Sequence, residues 1–309
     1  MSSRVILDCD PGIDDALAIA FAAGHPGIEL AGITSVAGNV ELAKTTANAL
    51  AVATFVGAAD VPVTAGCAAP LLRPARAAWH VHGESGLGGA VLPRPAHGPR
   101  DGHAIDFIIA AIAAAPGEVT LVATGPLTNV ALAVRREPRL PEWVRDFVIM
   151  GGSAGRGNVN HAAEFNMWAD PEAAAVVFGA GWTVRMIGLD VTLRARATAA
   201  VQERMRAFGA LGSRLLRPAL AQYRDSDAGA GEPPVHDVCA VVSVVEPSAF
   251  TFTPALVQVE TTGTLTSGMT VTDFSPPAGP NALVATAIDV DRFWDVVLRT
   301  YGALADSLG

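Results

Sequence analysis

The chain has 309 residues, half of them hydrophobic, and carries a net charge of −9 from 21 basic and 30 acidic side chains. That length allows one large α/β domain or two ordinary ones of roughly 150 residues, and the composition excludes a disordered or fibrous chain. An acidic balance gives no attractive field for a polyanion, because binding a phosphate backbone requires clustered Lys and Arg, so nucleic acid is not an expected partner.

In chain order, Met-Ser-Ser-Arg leads directly into a first predicted strand at Arg4 to Leu7, too short an apolar stretch for a signal peptide. The segment Asp8-Cys9-Asp10-Pro11-Gly12-Ile13-Asp14-Asp15 follows, then a helix-like stretch from Asp14 to Ala23. A strand is predicted at Ile28 to Val36 and a helix over Val40 to Val56, which holds Lys44, the sole lysine, with no Gly-rich phosphate loop before it. The apolar run Phe107 to Ala115 is well short of the ~20 residues of a membrane span and stops at Pro116. Strand Val119 to Ala123, helix Leu127 to Arg136, strand Phe147 to Met150, helix Pro171 to Phe178 and strand Thr183 to Ile187 continue the alternation. Asp225 to Pro234, rich in Gly, Ala, Ser, Asp and Pro, reads as a mobile surface loop before His236. Strand-like segments near Met269 to Thr272 and Leu283 to Ile288 precede a closing helix from Asp289 to Leu308.

Short β-branched runs alternating with helices argue for βαβ units with right-handed crossovers. The expected fold is α/β: a doubly wound, mainly parallel open sheet with helices on both faces. No composition shift or internal repeat marks a boundary, so residues 1–309 read as a single domain. Cys9, Cys67 and Cys239 form neither a disulfide framework nor a C-x-x-C metal site. A reducing, cytoplasmic location and no membrane contact are the expectation.

Four carboxylates, Asp8, Asp10, Asp14 and Asp15, occupy eight residues at the end of the first strand. In an open α/β sheet this is the edge where ligands bind. Period-2 spacing points Asp8 and Asp10 the same way. Any one Asp alone would serve as a helix cap or turn residue, but four together repel one another unless a cation or shared protons neutralise them. All-oxygen ligation favours Ca²⁺, Mg²⁺ or Mn²⁺ over zinc and does not separate calcium from magnesium.

Asp8 to Asp15 resembles the D-x-D-P-G-x-D-D signature of the inosine-uridine nucleoside hydrolase family. Further segments similar to the family follow in order: Val36-Ala37-Gly38-Asn39, His82-Gly83-Glu84-Ser85-Gly86-Leu87-Gly88, Thr124-Gly125-Pro126-Leu127-Thr128-Asn129 and Met150-Gly151-Gly152. Glu164-Phe165-Asn166, Asp170-Pro171-Glu172-Ala173-Ala174, Val235-His236-Asp237 and Gly268-Met269-Thr270-Val271 complete a set spanning nearly the whole chain. Many members carry Arg before the Gly-Met-Thr-Val run, where this chain has Ser267.

The resemblance implies the nucleoside hydrolase fold and hydrolysis of the N-glycosidic bond of purine and pyrimidine ribonucleosides, as in nucleoside salvage. It implies one Ca²⁺ held by Asp10, Asp15, Asp237 and the carbonyl of Thr124, with the ribose 2′- and 3′-hydroxyls and a water completing the shell. Asp10 would be the general base. Asp14, Asn39, Asn160, Glu164 and Asn166 would hold the ribose hydroxyls. His236 is the first candidate acid for the leaving base and His82 the second, since imidazole titrates near neutrality. Of Trp79, Trp168 and Tyr223, which lie near the motifs, Tyr223 is the preferred base-stacking residue because it precedes the loop into His236. A homodimer or homotetramer is the implied assembly.

Two other functions fit parts of this pattern. A haloacid-dehalogenase-type phosphatase would use Asp8-Cys9-Asp10, but Pro11-Gly12 replaces the Thr or Val that normally follows, and Lys44 comes too early. A calcium-dependent ribose or nucleoside binding protein would reuse the same contacts without catalysis; Asp10 in the water-contacting position argues against it.

Overall fold

The computed structural model describes residues 2–95, 97–225 and 232–308. Nine strands form one sheet: β1 (Ser3–Cys9), β2 (Ile28–Ser35), β3 (Val63–Ala65), β4 (Val119–Ala123), β5 (Asp146–Met150), β6 (Val184–Ile187), β7 (Phe250–Val259), β8 (Thr270–Asp273) and β9 (Ala282–Ile288). Their spatial order is β3-β2-β1-β4-β5-β6-β9-β7-β8. All neighbours from β3 to β9 run parallel, while β7 pairs antiparallel with both β9 and β8.

Strand periodicity divides the core. On β1, Val5, Leu7 and Cys9 face one apolar layer and Ile6 the other; on β4, Val122 joins the first and Leu121 and Ala123 the second. The helices Ile13–Gly24, Leu42–Phe55, Asp237–Val245 and Val290–Leu308 cover the first face. Ala104–Ala114, Thr128–Arg136 and Pro171–Phe178 cover the second. The chain is therefore doubly wound as expected, since parallel strands need both faces buried.

Each strand and helix expected from the alternation is present, with ends shifted by one or two residues. Two strands were not foreseen. β3 is only three residues long, and β7 contains Pro254, which argues against an inner strand. The ladder accommodates that proline: Ala255 accepts from Asn281 on the β9 side, so the nitrogen of Pro254 faces the other way, where β8 begins pairing only at Leu256. Of the segment Asp225 to Pro234, residues 226–231 lie outside the described residues. Among the described residues, no helix is long and apolar enough to cross a membrane.

The winding sets the position of the site. From β1 the sheet grows through β2 and β3 on one side and through β4, β5 and β6 on the other. The order reverses between β1 and β4, and the loops leaving their carboxyl ends part to form a crevice. Asp10 leaves β1 there and Thr124 leaves β4.

Candidate active site

The β1 loop is organised around Asp15, the third residue of the helix Ile13–Gly24. Its carboxylate reaches back to the backbone N–H groups of Gly12 at 3.0 Å and Asp10 at 3.3 Å, and accepts from Asn39 Nδ2 at 3.1 Å and Thr124 Oγ1 at 2.9 Å. A carboxylate in a first helical turn is favoured by the unpaired N–H groups there. Asp10 Oδ2 accepts from the Asn39 backbone at 2.6 Å, while Oδ1 is buried without a hydrogen-bond partner among the described residues. Asp14 Oδ2 accepts from the His236 backbone N–H at 3.3 Å, and its Oδ1 is likewise orphaned. Asp237, at the start of its helix, lies against the Asp15 carboxyl.

Asp10, Asp14, Asp15 and Asp237 are all buried, and no salt bridge reaches any of them among the described residues. Burial, reinforced by the charge of Asp15, pushes Asp10 and Asp237 well above the usual carboxylate range and Asp14 up to about 8. The space around Asp10 admits no bulk: a Cβ on Gly38 would collide with its carboxylate, and one on Gly125 would come within 2.7 Å of Oδ1. Asp8 Oδ1 accepts from Thr34 Oγ1 at 2.5 Å and Asn129 Nδ2 at 2.8 Å, and its buried Oδ2 has no hydrogen-bond partner among the described residues. It belongs to the support of the site.

A cavity of about 380 Å³ opens beside this cluster; Asp14 and Asp237 reach its surface, while Asp10 and Asp15 are not among its lining residues. Asp14, Asn39, His82, Thr124, Glu164, Asn166, Tyr223, His236 and Asp237 line it, joined by Met150, Asn158, Phe165 and Trp168. Glu164 caps the helix Phe165–Ala169, accepting from Asn166 and Met167, and also holds the Gly152 N–H at 2.9 Å. Burial raises its carboxyl to about 7. Asn166 donates through Nδ2 to the carbonyls of Thr124 at 2.7 Å and Met150 at 3.1 Å. Tyr223 stands between the two imidazoles, 6.4 Å from His82 and 6.0 Å from His236 between ring centroids.

His82 Nδ1 accepts from the Ile13 backbone at 3.0 Å, a contact that requires Gly12, where a Cβ would sit 2.5 Å from that nitrogen. His236 Nδ1 is 2.8 Å from Thr192 Oγ1. Burial, then the proximity of His236, depresses His82 to about 3; burial, then Arg196, depresses His236 to about 4. Both rings rest neutral at physiological pH.

The structure does not bring Asn160 into the cavity. Its carboxamide oxygen accepts from Ala162 and Ala163 at 2.8 Å, an exposed loop contact, and Asn158 lines the cavity instead. Two asparagines two residues apart in a Gly-rich loop carry no local signal that would separate them. Trp79 is 63% exposed and outside the lining, whereas Trp168 lines the cavity with Arg76 stacked 3.7 Å from its ring centroid. Phe165, Met150 and Thr192 had no role assigned from the sequence; Phe165 and Met150 stand inside family-like segments, but nothing local marks Thr192.

Among the described residues, no three His, Cys, Asp or Glu side chains form a finished metal-binding group. The donor set nevertheless suits a hard cation: orphaned buried carboxylate oxygens, clustered like charge without a basic partner, and a carbonyl at the end of β4.

The family model for inosine-uridine preferring nucleoside hydrolases matches residues 5–295. The chain is 45% identical to the inosine-uridine preferring nucleoside hydrolase of Leishmania major, over 99% of both chains. It is 42% identical to the pyrimidine-specific ribonucleoside hydrolase RihA of Salmonella arizonae, over 98% of this chain and 100% of that protein. Its fold is similar to that of the purine-preferring ribonucleoside hydrolase from Gardnerella vaginalis, with a TM-score of 0.93 and 32% identity over 99% of this chain and 100% of that one.

Proposed function

The chain belongs to the inosine-uridine preferring nucleoside hydrolase family, and from that premise we propose how its residues divide the work of cutting the N-glycosidic bond of ribonucleosides. Overall, the hydroxyl of water joins the anomeric carbon, its proton ends on the base, and ribose and free nucleobase leave. The observation that carries the reading is Asp10: a buried carboxylate at the switch point of the sheet, one oxygen fixed by Asn39 and the other without a hydrogen-bond partner among the described residues. A group so placed is ready to hold water and accept its proton.

Asp10, Asp15, Asp237 and the Thr124 carbonyl would hold Ca²⁺, which supplies Lewis acidity toward water and orientation of the ribose 2′- and 3′-hydroxyls. Asp14, Asn39, Glu164 and Asn166 are assigned to the sugar, with Asn158 replacing Asn160. Their carboxylates and amides offer the mixed acceptors and donors that a polyol needs. Fixing the sugar lowers the cost of reaching an oxocarbenium-like transition state. His236, with His82 second, serves the departing base through a ring N–H, and Tyr223 packs beside it. The names of the relatives cover inosine-uridine, pyrimidine and purine preferences, so the base preference of this chain is what the substrate panel decides.

A single domain over residues 1–309 is part of the same reading. So is a cytoplasmic location, supported by free Cys9, Cys67 and Cys239. Self-association as a homodimer or homotetramer is supported by exposed Val271 and Phe274 on and beside the edge strand β8. The deciding experiment is a panel of purine and pyrimidine ribonucleosides assayed for free base and ribose. Release of both products from at least one nucleoside is expected, and tight binding without release would replace the catalytic reading with a binding one.

A further inference from the structure

Of the three histidines lining the cavity, His80, His82 and His236, the latter two each have one ring nitrogen engaged elsewhere. His82 Nδ1 accepts the Ile13 N–H, so in the neutral ring the proton resides on Nε2. The case of His236 turns on Thr192, which is fully buried on the short helix Leu189–Thr192, its Oγ1 2.8 Å from His236 Nδ1. Among the described residues that hydroxyl has no other hydrogen-bond partner. If Nδ1–H donated to Oγ1, the hydroxyl proton would be buried with no acceptor, a costly arrangement. If the hydroxyl donates to Nδ1, every polar atom of the pair is satisfied and the ring proton lies on Nε2.

We propose that Thr192 is a positioning residue that fixes His236 as its Nε2–H tautomer, leaving a hydrogen-bond donor and not an acceptor for the cavity. Its catalytic consequence rests on the reading of His236 as the group that serves the departing base. The backbone of His236 is tied separately, through its N–H, to Asp14. Thr192 therefore acts on the ring while the main chain stays anchored. A ring in the other tautomer would present a lone pair to a base that also needs a proton, and the two would repel.

The test uses full-length protein labelled with ¹⁵N-histidine, as wild type, Thr192→Val and Thr192→Ser, with His236 signals assigned by their loss in His236→Asn. In wild type, Nδ1 of His236 gives the shift of an unprotonated nitrogen and Nε2 that of a protonated one. Thr192→Val, close in shape, moves the two signals toward each other or exchanges them, and Thr192→Ser restores the wild-type pattern. In parallel, Thr192→Val lowers kcat on inosine or uridine by about tenfold, the order of one hydrogen bond. KM stays near its wild-type value, nitrophenyl riboside, whose phenolate leaves without a proton, is cut at the parental rate, and Thr192→Ser recovers the loss. A protonated Nδ1 in wild type, or an unchanged tautomer in Thr192→Val, overturns the proposal. A changed tautomer with unchanged rates on every substrate supports the role of Thr192 in fixing the ring and overturns only the donor role of His236.

Discussion

Asn166 donates its side-chain amide to the carbonyl of Thr124 at 2.7 Å, joining the Glu164-Phe165-Asn166 segment to the end of β4 across the floor of the cavity. Sugar-binding and metal-binding assignments therefore share one hydrogen bond. Truncating Asn166 to Ala should weaken both calcium affinity and ribonucleoside KM. Calorimetric titration with calcium alone checks the first effect, and unchanged affinity would separate the two functions.

Calcium removal should abolish hydrolysis, and returning calcium should restore it, because the orphaned oxygens of Asp10 and Asp14 lie in a carboxylate cluster that has no salt-bridge partner among the described residues. Release of ribose before and after chelation is the measurement. Full activity in metal-free protein would refute the cation assignment.

Asp10→Asn should cut turnover by at least ~10³-fold, as expected when a general base that also helps hold a cation is neutralised. Folding should be preserved, since the substitution removes a buried charge rather than volume. Thermal unfolding of the chelated variant should match or exceed that of chelated wild type. Near-normal turnover would transfer the base role to another residue.

Deoxyribonucleosides should be poor substrates, by as much as ~10⁴-fold, because groups built to hold a hydroxyl are left unpaired when it is missing. Uridine and 2′-deoxyuridine compared by kcat/KM decide this. Equal values would contradict the assignment of Asp14, Asn39, Glu164 and Asn166 to the ribose.

His236→Ala should slow inosine or uridine hydrolysis by roughly 10²–10⁴-fold while sparing nitrophenyl riboside. If both substrates slow equally, His236 positions the sugar or supports Asp237. If neither slows, the donor is His82 or Tyr223, and the same pair of substrates applied to His82→Ala and Tyr223→Phe tells them apart.

Much of this architecture can be read locally. Strand and helix periods are short-range properties, so the βαβ alternation, the parallel core and the crevice above β1 follow from runs such as Val5-Ile6-Leu7 and Val119 to Ala123. The carboxylates of Asp8 to Asp15 are equally visible, because their mutual repulsion is a fact about neighbours in the chain, and the ordered motifs extend that to a family. β7 was hidden because Pro254 obeys a local rule that the missing reach of β8 relaxes.

Contacts between distant loops lie beyond any window of sequence. Only the fold sets Asp8 against Thr34 and Asn129, brings Asn158 to the cavity lining while Asn160 turns to its own loop, and sets Thr192 against His236. Burial, which no residue carries in its own identity, holds both histidines neutral and raises the carboxylates around them. Side-chain type and spacing thus determined which groups gather at the end of β1. Solvent exclusion and partners 26 to 121 residues away, as for Asp8, decided which of them line the cavity and which lie behind it.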